Sequence, residues 1–208
     1  MKVRALSIEG AYEITPIVRG DPRGHFAEVY RFDVFAAEIG HPLRIAQINN
    51  STSSRDVVRG VHWAEVPPGQ AKYVLCQRGA LVDYVIDLRV GSATFGQWES
   101  VRLDDVERRA VYLSEGLGHG FRALTDDTTI LYLCSTTYNP QREHAINPLD
   151  PDLGIDWGVE HPILSARDAA AQSLTEAREK GLLPDVETCV SYRASVLGAE
   201  KGTENTHP

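Results

Sequence analysis

The strongest constraint on the fold is the length and spacing of the apolar runs. From residue 1 to about 170 they are short and rich in β-branched and aromatic residues. Gly, Pro or Asp clusters such as Pro67-Pro68-Gly69, Gly91-Ser92 and Thr125-Asp126-Asp127 separate them. That is the pattern of strands joined by brief turns. Over residues 80–88, Val82, Tyr84, Ile86 and Leu88 fall on one face and Asp83 and Asp87 on the other, the alternation of a β-strand. Segments 57–63, 72–77, 97–103, 110–113 and 128–137 are predicted strands on the same grounds. Many short strands point to an all-β sandwich or barrel, and a jelly roll is one way to bury their edges.

Helix is scarce. Asp33 is placed to cap a short helix ending at Ile39 before Gly40. A second helix is predicted over 175–180, with Gly181 and Pro184 after it. No repeat and no linker divides the chain. The expectation is one domain over 1–197, with a helical appendage from about 170 and a polar, disordered tail over 198–208. The 208 residues are 42% hydrophobic, enough for a sizeable core. No apolar run nears the roughly 20 residues of a membrane helix. The N-terminus lacks the apolar stretch of a secretory signal, so the expected location is the cytoplasm. A net charge of -8 argues against nucleic-acid binding, but not against a small anion held by a few converging cations. Cys76, Cys134 and Cys189, odd in number and widely spaced, form neither a disulfide framework nor a zinc knuckle. Cys76 and Cys134 lie in apolar runs and are expected to be buried thiols.

Four positions invite chemistry, each with a plain alternative. In Arg59-Gly60-Val61-His62-Trp63, regular alternation puts His62 with Gly60 on one face and Arg59 with Val61 and Trp63 on the other. A lone strand histidine is ordinarily structural. Lys72 opens the next strand, where a lysine is normally a solvated edge residue. His119 sits among Gly116, Gly118 and Gly120, which would permit a sharp turn and close ligand approach, or merely a loop histidine. Tyr132 lies in an apolar strand, the usual place of a core tyrosine. None of the seven histidines forms an HxH pair, although His62 and His119 could meet with a carboxylate. No GxSxG elbow and no glycine-rich phosphate loop before a helix is present.

Taken in series, the segments resemble the dTDP-4-dehydrorhamnose 3,5-epimerase family. The matching stretches are Asp21-Pro22-Arg23-Gly24-His25-Phe26-Ala27-Glu28, Gln47-Ile48-Asn49, Arg59-Gly60-Val61-His62-Trp63 and Pro67-Pro68-Gly69-Gln70-Ala71-Lys72. Residues 90–98, 116–121, 132–140 and Leu164-Ser165-Ala166-Arg167-Asp168 follow in family order, so the match covers about 5–185. The resemblance implies a cupin-type jelly roll without metal or other cofactor. It implies a homodimer that acts on a dTDP-4-keto-6-deoxyhexose.

Inverting a carbon beside a ketone needs a base, a cation or donor for the enolate oxygen, and an acid on the opposite face. By the resemblance, His62 is the base, Asp168 its dyad partner, Lys72 the enolate cation and Tyr132 the acid. A neighbouring cation is expected to lower the phenol pKa. Arg23, Arg59 and Arg167 suit the pyrophosphate. Tyr138 matches the position that stacks on thymine, and Phe26 offers a second aromatic face. Glu28, Gln47, Asn49, Glu143 and His119 are the remaining substrate positions, although Glu143 could instead pair with Arg142. Three departures, Asn147-Pro148, Gly118 with Arg122, and Trp63, are expected to reshape the sugar pocket. With Tyr132 present and the overall match close, the resemblance still implies epimerisation at C3 and C5. The alternatives are inversion at C3 or C5 alone, a 3,4-ketoisomerase, and a non-catalytic sugar-binding or metal-binding cupin.

Overall fold

The computed structural model describes residues 1–203. The strands are β1 (Lys2–Ala5), β2 (Ala11–Thr15), β3 (Val18–Asp21), β4 (Gly24–Ala27), β5 (Gln47–Ser53), β6 (Val58–Ala64) and β7 (Lys72–Arg78). They continue with β8 (Ala80–Asp87), β9 (Trp98–Asp104), β10 (Ala110–Leu113), β11 (Leu117–Ala123), β12 (Thr128–Cys134) and β13 (Glu143–Ala145). Four helices, α1 (Phe32–Ile39), α2 (Ala166–Ala169), α3 (Leu174–Glu179) and α4 (Val186–Thr203), complete the described chain. One sheet runs β1-β2-β10-β7-β12-β5 and the other β13-β6-β11-β8-β9. The two pack face to face as the expected all-β jelly roll. Among the described residues, hairpin β3–β4 pairs only with itself and belongs to neither of these sheets.

The core between the sheets is built by period-2 alternation. Val74, Cys76 and Ile130 come from the six-stranded sheet, and Leu81, Val85, Leu103, Leu117 and Phe121 from the five-stranded one. The outer faces are also covered. Tyr73, Leu75 and Leu133 pack under Phe35 of α1. Tyr84, Ile86, Leu88, Val61 and Trp63 pack under Leu153, Trp157, Leu174 and Leu183 of the C-terminal segment. In β8, therefore, the apolar face meets that cover. Asp83 shares the inner face with Leu81 and Val85 and is fully buried.

Two helix expectations shift. Arg31, not Asp33, is the N-cap of α1, and Asp33 sits in the first turn, where it accepts from Arg31. Gly40 ends the helix in the left-handed region, as expected, donating to the Ala36 carbonyl at 3.0 Å. α3 starts one residue early because Ser173 and Glu176 form a reciprocal capping box. The polar tail expected to be disordered from 198 is helical in its backbone as far as Thr203, and residues 204–208 lie outside the described residues. No described helix is long and apolar enough to cross a membrane.

Candidate active site

A single irregularity in β6 builds the site. Opposite β11, His62 pairs with His119 and Arg59 with Phe121, so three steps on β6 face two on β11. The extra residue is a bulge, which re-aims the strand. Regular alternation would separate Arg59 from His62. With the bulge, both side chains line one cavity inside the sandwich while Val61 and Trp63 stay in the outer core. Gly60 makes the bulge possible. Its φ is 129°, and a Cβ there would stand 2.6 Å from the Gly120 Cα and 2.8 Å from the His119 carbonyl oxygen.

The glycines around His119 also serve packing. His119 is not in a turn but in strand β11, on its inner face. Gly118 and Gly120 lie on the outer face, where added Cβ atoms would press on Leu88 and Val61, and on Trp157. Only Gly116, with φ 87°, turns the chain before the strand.

The cavity encloses about 220 Å³ and is lined by Gln47, Asn49, Arg59, His62, Lys72, His119, Tyr132, Tyr138, Glu143 and Arg167, together with Gln70 and Phe121. The structure thus brings together ten of the positions expected from sequence. Asp168 stands just behind them. His62 Nε2 lies 2.7 Å from Asp168 Oδ1, with the histidine side chain 30% exposed and the carboxylate 4%. Burial raises the Asp168 pKa. The hydrogen bond and charge of His62, with Ser165 and the Gly60 backbone, outweigh that and hold it below the usual carboxylate range. An ionised Asp168 fixes the Nε2–H tautomer and leaves Nδ1 as the ring's proton acceptor.

Lys72 is buried rather than a solvated edge residue, because β7 is a central strand of its sheet. Its Nζ makes no hydrogen bond or ion pair among the described residues. Burial pushes the ammonium below the ordinary lysine range, against the pull of Cys134, Glu143 and Asp83. Tyr132 corrects an expectation. Burial raises its phenol pKa, Cys134 and Glu143 push the same way, and the opposing pull of Arg59 does not reverse the shift. The phenol therefore keeps its proton at neutral pH, the state an acid needs.

Around this centre, Arg59 donates from Nε to Ser53 Oγ at 3.1 Å, and Arg167 reaches the Glu143 carbonyl at 3.3 Å. Gln47 joins two groups, donating to Asn49 Oδ1 at 2.7 Å and accepting from the Tyr138 backbone at 2.8 Å. Glu143 faces the cavity without an ion pair among the described residues, and Arg142 turns instead to Glu65. His62 and His119 do face each other, each with its own carboxylate. His119 Nε2 lies 2.7 Å from Asp83 Oδ2. No group of three or more potential metal ligands occurs among the described residues.

Three expected positions are elsewhere. Arg23, Phe26 and Glu28 lie on or just after the β3–β4 hairpin, outside this cavity. Arg23 is paired with Asp21, Phe26 is 65% exposed, and Glu28 faces Arg31 at 3.8 Å. Sequence reading missed Gln70, Phe121 and the Asp83 partner of His119. The inner-face alternation of β8 and β11 was the signal for the last two.

The departures do not line the cavity either. Gly118 and Trp63 lie in the outer core, and Arg122 binds Asp56 and the Trp157 and Gly158 carbonyls. Asn147 bonds to the end of α2.

Comparison with known proteins identifies the family. The family described as dTDP-4-dehydrorhamnose 3,5-epimerase matches residues 5–176. A dTDP-4-dehydrorhamnose 3-epimerase of Streptomyces niveus is 60% identical over 91% of this chain and 91% of its own. The solved epimerase of Mycobacterium tuberculosis superposes with a TM-score of 0.92 at 50% identity, covering 94% of this chain and 99% of that one. A 3'-monoepimerase of Streptomyces bikiniensis, solved with dTDP-quinovose, gives 0.89 at 48% identity over 91% and 96%. With His62, Lys72 and Tyr132 lining one cavity, Asp168 behind His62, and a family match that spans both sheets, the chain belongs to the dTDP-4-dehydrorhamnose 3,5-epimerase family.

Proposed function

We propose that this protein inverts C3 and C5 of a dTDP-4-keto-6-deoxyhexose through an enolate. The observation that carries the reading is the placement of base and acid. His62 stands on β6 of the five-stranded sheet and Tyr132 on β12 of the six-stranded sheet, and both line the same cavity. A sugar between them meets a proton acceptor on one face and a proton donor on the other, which is what inversion requires. His62 takes the proton beside the ketone, and Asp168 stabilises the imidazolium formed. Charge moves onto the C4 oxygen, where the Lys72 ammonium balances it. Tyr132 then returns a proton to the opposite face, and solvent restores both groups. No redox cofactor takes part in this sequence.

Arg59 and Arg167 converge on the cavity and suit a pyrophosphate, so an acidic chain can bind a dianion locally. Tyr138, 51% exposed at the mouth, offers its ring to thymine. Gln47, Asn49, Glu143 and His119 supply hydrogen bonds to the sugar and base.

Arg23, Phe26 and Glu28 complete the nucleotide site in a second copy of the chain. The hairpin that carries them joins neither sheet and leaves Phe26 exposed, so it is free to reach a partner. The reading is therefore a homodimer. Three free, buried cysteines suit the reducing cytoplasm as its location.

A second reading, inversion at C3 alone, is favoured by the relatives named 3-epimerase and 3'-monoepimerase. NMR of dTDP-4-keto-6-deoxyglucose incubated with the enzyme in D2O separates the two. Each inverted carbon must acquire solvent deuterium, so deuterium at both C3 and C5 is expected. Complete exchange at C3 with none at C5 would establish the C3-only reading. No exchange at either carbon would defeat the epimerase reading.

A further inference from the structure

Asp168 does not belong to the strand that carries His62. It reaches the ring from α2, a single helical turn of four residues, so the alignment of the dyad depends on how that turn sits against β6, where the Gly60 backbone also bonds to the carboxylate. The upstream side is tied by backbone pairing. The Val58 N–H donates to the Ile163 carbonyl at 3.0 Å, the Ile163 N–H donates to Asp56 at 2.9 Å, and the Ser165 hydroxyl caps the turn by accepting from the Asp168 N–H at 3.0 Å.

The downstream side depends on Asn147. Its Nδ2 donates to the Ala169 carbonyl, one residue beyond Asp168, at 3.0 Å. That carbonyl ends a helix and has no intrahelical donor to meet it. Asn147 Oδ1 accepts from the Leu149 N–H at 2.9 Å, and its own N–H donates to Gln172 at 2.9 Å. The preceding residue, Ile146, exchanges both backbone hydrogen bonds with Val61 at 3.1 and 3.0 Å, immediately beside His62. One residue therefore spans from the strand of the base to the turn of its carboxylate.

We propose that Asn147 is a positioning residue for the base, a strut that holds Asp168 in line with His62. The inference rests on the reading of His62 and Asp168 as the catalytic dyad. Asn147 lies outside the cavity lining. Its effect must pass through Asp168, and so it must vanish when Asp168 can no longer orient the ring as an anion.

The test is a double-mutant cycle of Asn147→Ala and Asp168→Asn, with kcat and KM measured for product formation and thermal unfolding followed in parallel. Asn147→Ala is expected to lower kcat about tenfold, the usual scale for a partner that orients a catalytic ring, with KM unchanged. Added to Asp168→Asn it should cost nothing further. Asn147→Asp serves as the second variant. It keeps the acceptor for the Leu149 N–H and sets a charged carboxylate oxygen against the Ala169 carbonyl in place of the donor, so it should lower kcat at least as far even if the alanine variant folds poorly. The low-field proton resonance of the His62–Asp168 bond should broaden or vanish in both. Unchanged kcat in Asn147→Asp, or losses that multiply in the double variant, would overturn the strut while leaving the dyad standing. Wild-type turnover in Asp168→Asn alone would remove the dyad reading and the strut with it.

Discussion

Replacing Lys72 with methionine should make the protein more stable and nearly inactive. Lys72 is 8% exposed, and its Nζ makes no hydrogen bond or ion pair among the described residues. Methionine follows the same path with almost the same length, so no large cavity opens, and the two side chains lose similar rotamer entropy of up to about 2 kcal/mol on burial. What remains is the cost of holding an ammonium out of water, reduced by the facing Cys134, Glu143 and Asp83 groups. Removing a poorly compensated buried charge in favour of an apolar side chain gains about 1–3 kcal/mol. At roughly 2–4 °C per kcal/mol for a chain of this size, Tm should rise by about 2–12 °C at neutral pH.

The sign of the pH dependence follows from the lowered pKa. Below the folded-state value both folded and unfolded chains carry the charge, and the folded one bears the full cost. As pH rises toward the unfolded value of about 10.4, the folded state is already neutral and the cost fades. The gain in Lys72→Met should therefore be largest below that folded-state value and shrink as the pH rises into alkaline buffer. Turnover should fall by about 10²–10³-fold, as when a donor to a developing oxyanion is lost. Calorimetry across pH with a parallel rate assay reads both quantities. A Tm that falls, or activity within tenfold of wild type, would refute the picture of a strained cation held for the enolate.

His62→Asn should cost about 10²–10⁴-fold in kcat with dTDP affinity retained, because the base acts only in proton transfer. Isothermal titration with dTDP and a rate assay separate those two effects. Arg59→Ala should do the opposite, weakening dTDP binding and raising KM more than it lowers kcat, since a pyrophosphate is held alike in ground and transition states. Gly60→Ala should cost more than about 3 kcal/mol, because its Cβ meets backbone atoms of His119 and Gly120 at a φ that L-residues rarely adopt. A calorimetric Tm equal to wild type in that variant would contradict the bulge as the source of the pocket.

Local sequence was enough for the class of fold. Short β-branched runs bounded by Gly, Pro and Asp become strands with little help, and 72–77, 80–88 and 110–113 lie within a residue of where they form. The resemblance supplied the dyad, the lysine and the tyrosine, because motifs preserve residue identity and order. Three things lay beyond both. A strict period of two put Arg59 and His62 on opposite faces, and only pairing against β11 creates the bulge that unites them. Its place at the start of a strand made Lys72 read as a solvated edge residue, but a central strand takes its side chain out of water, a property of neighbours that no local window contains. Burial likewise decided that the Tyr132 phenol stays protonated despite a nearby arginine. The glycines flanking His119 looked like a turn until the cover from Trp157 and its neighbours was in place. Sequence determined which chemical groups are present. The tertiary structure decided which of them face one another and how much water they keep, because both depend on contacts between segments tens of residues apart.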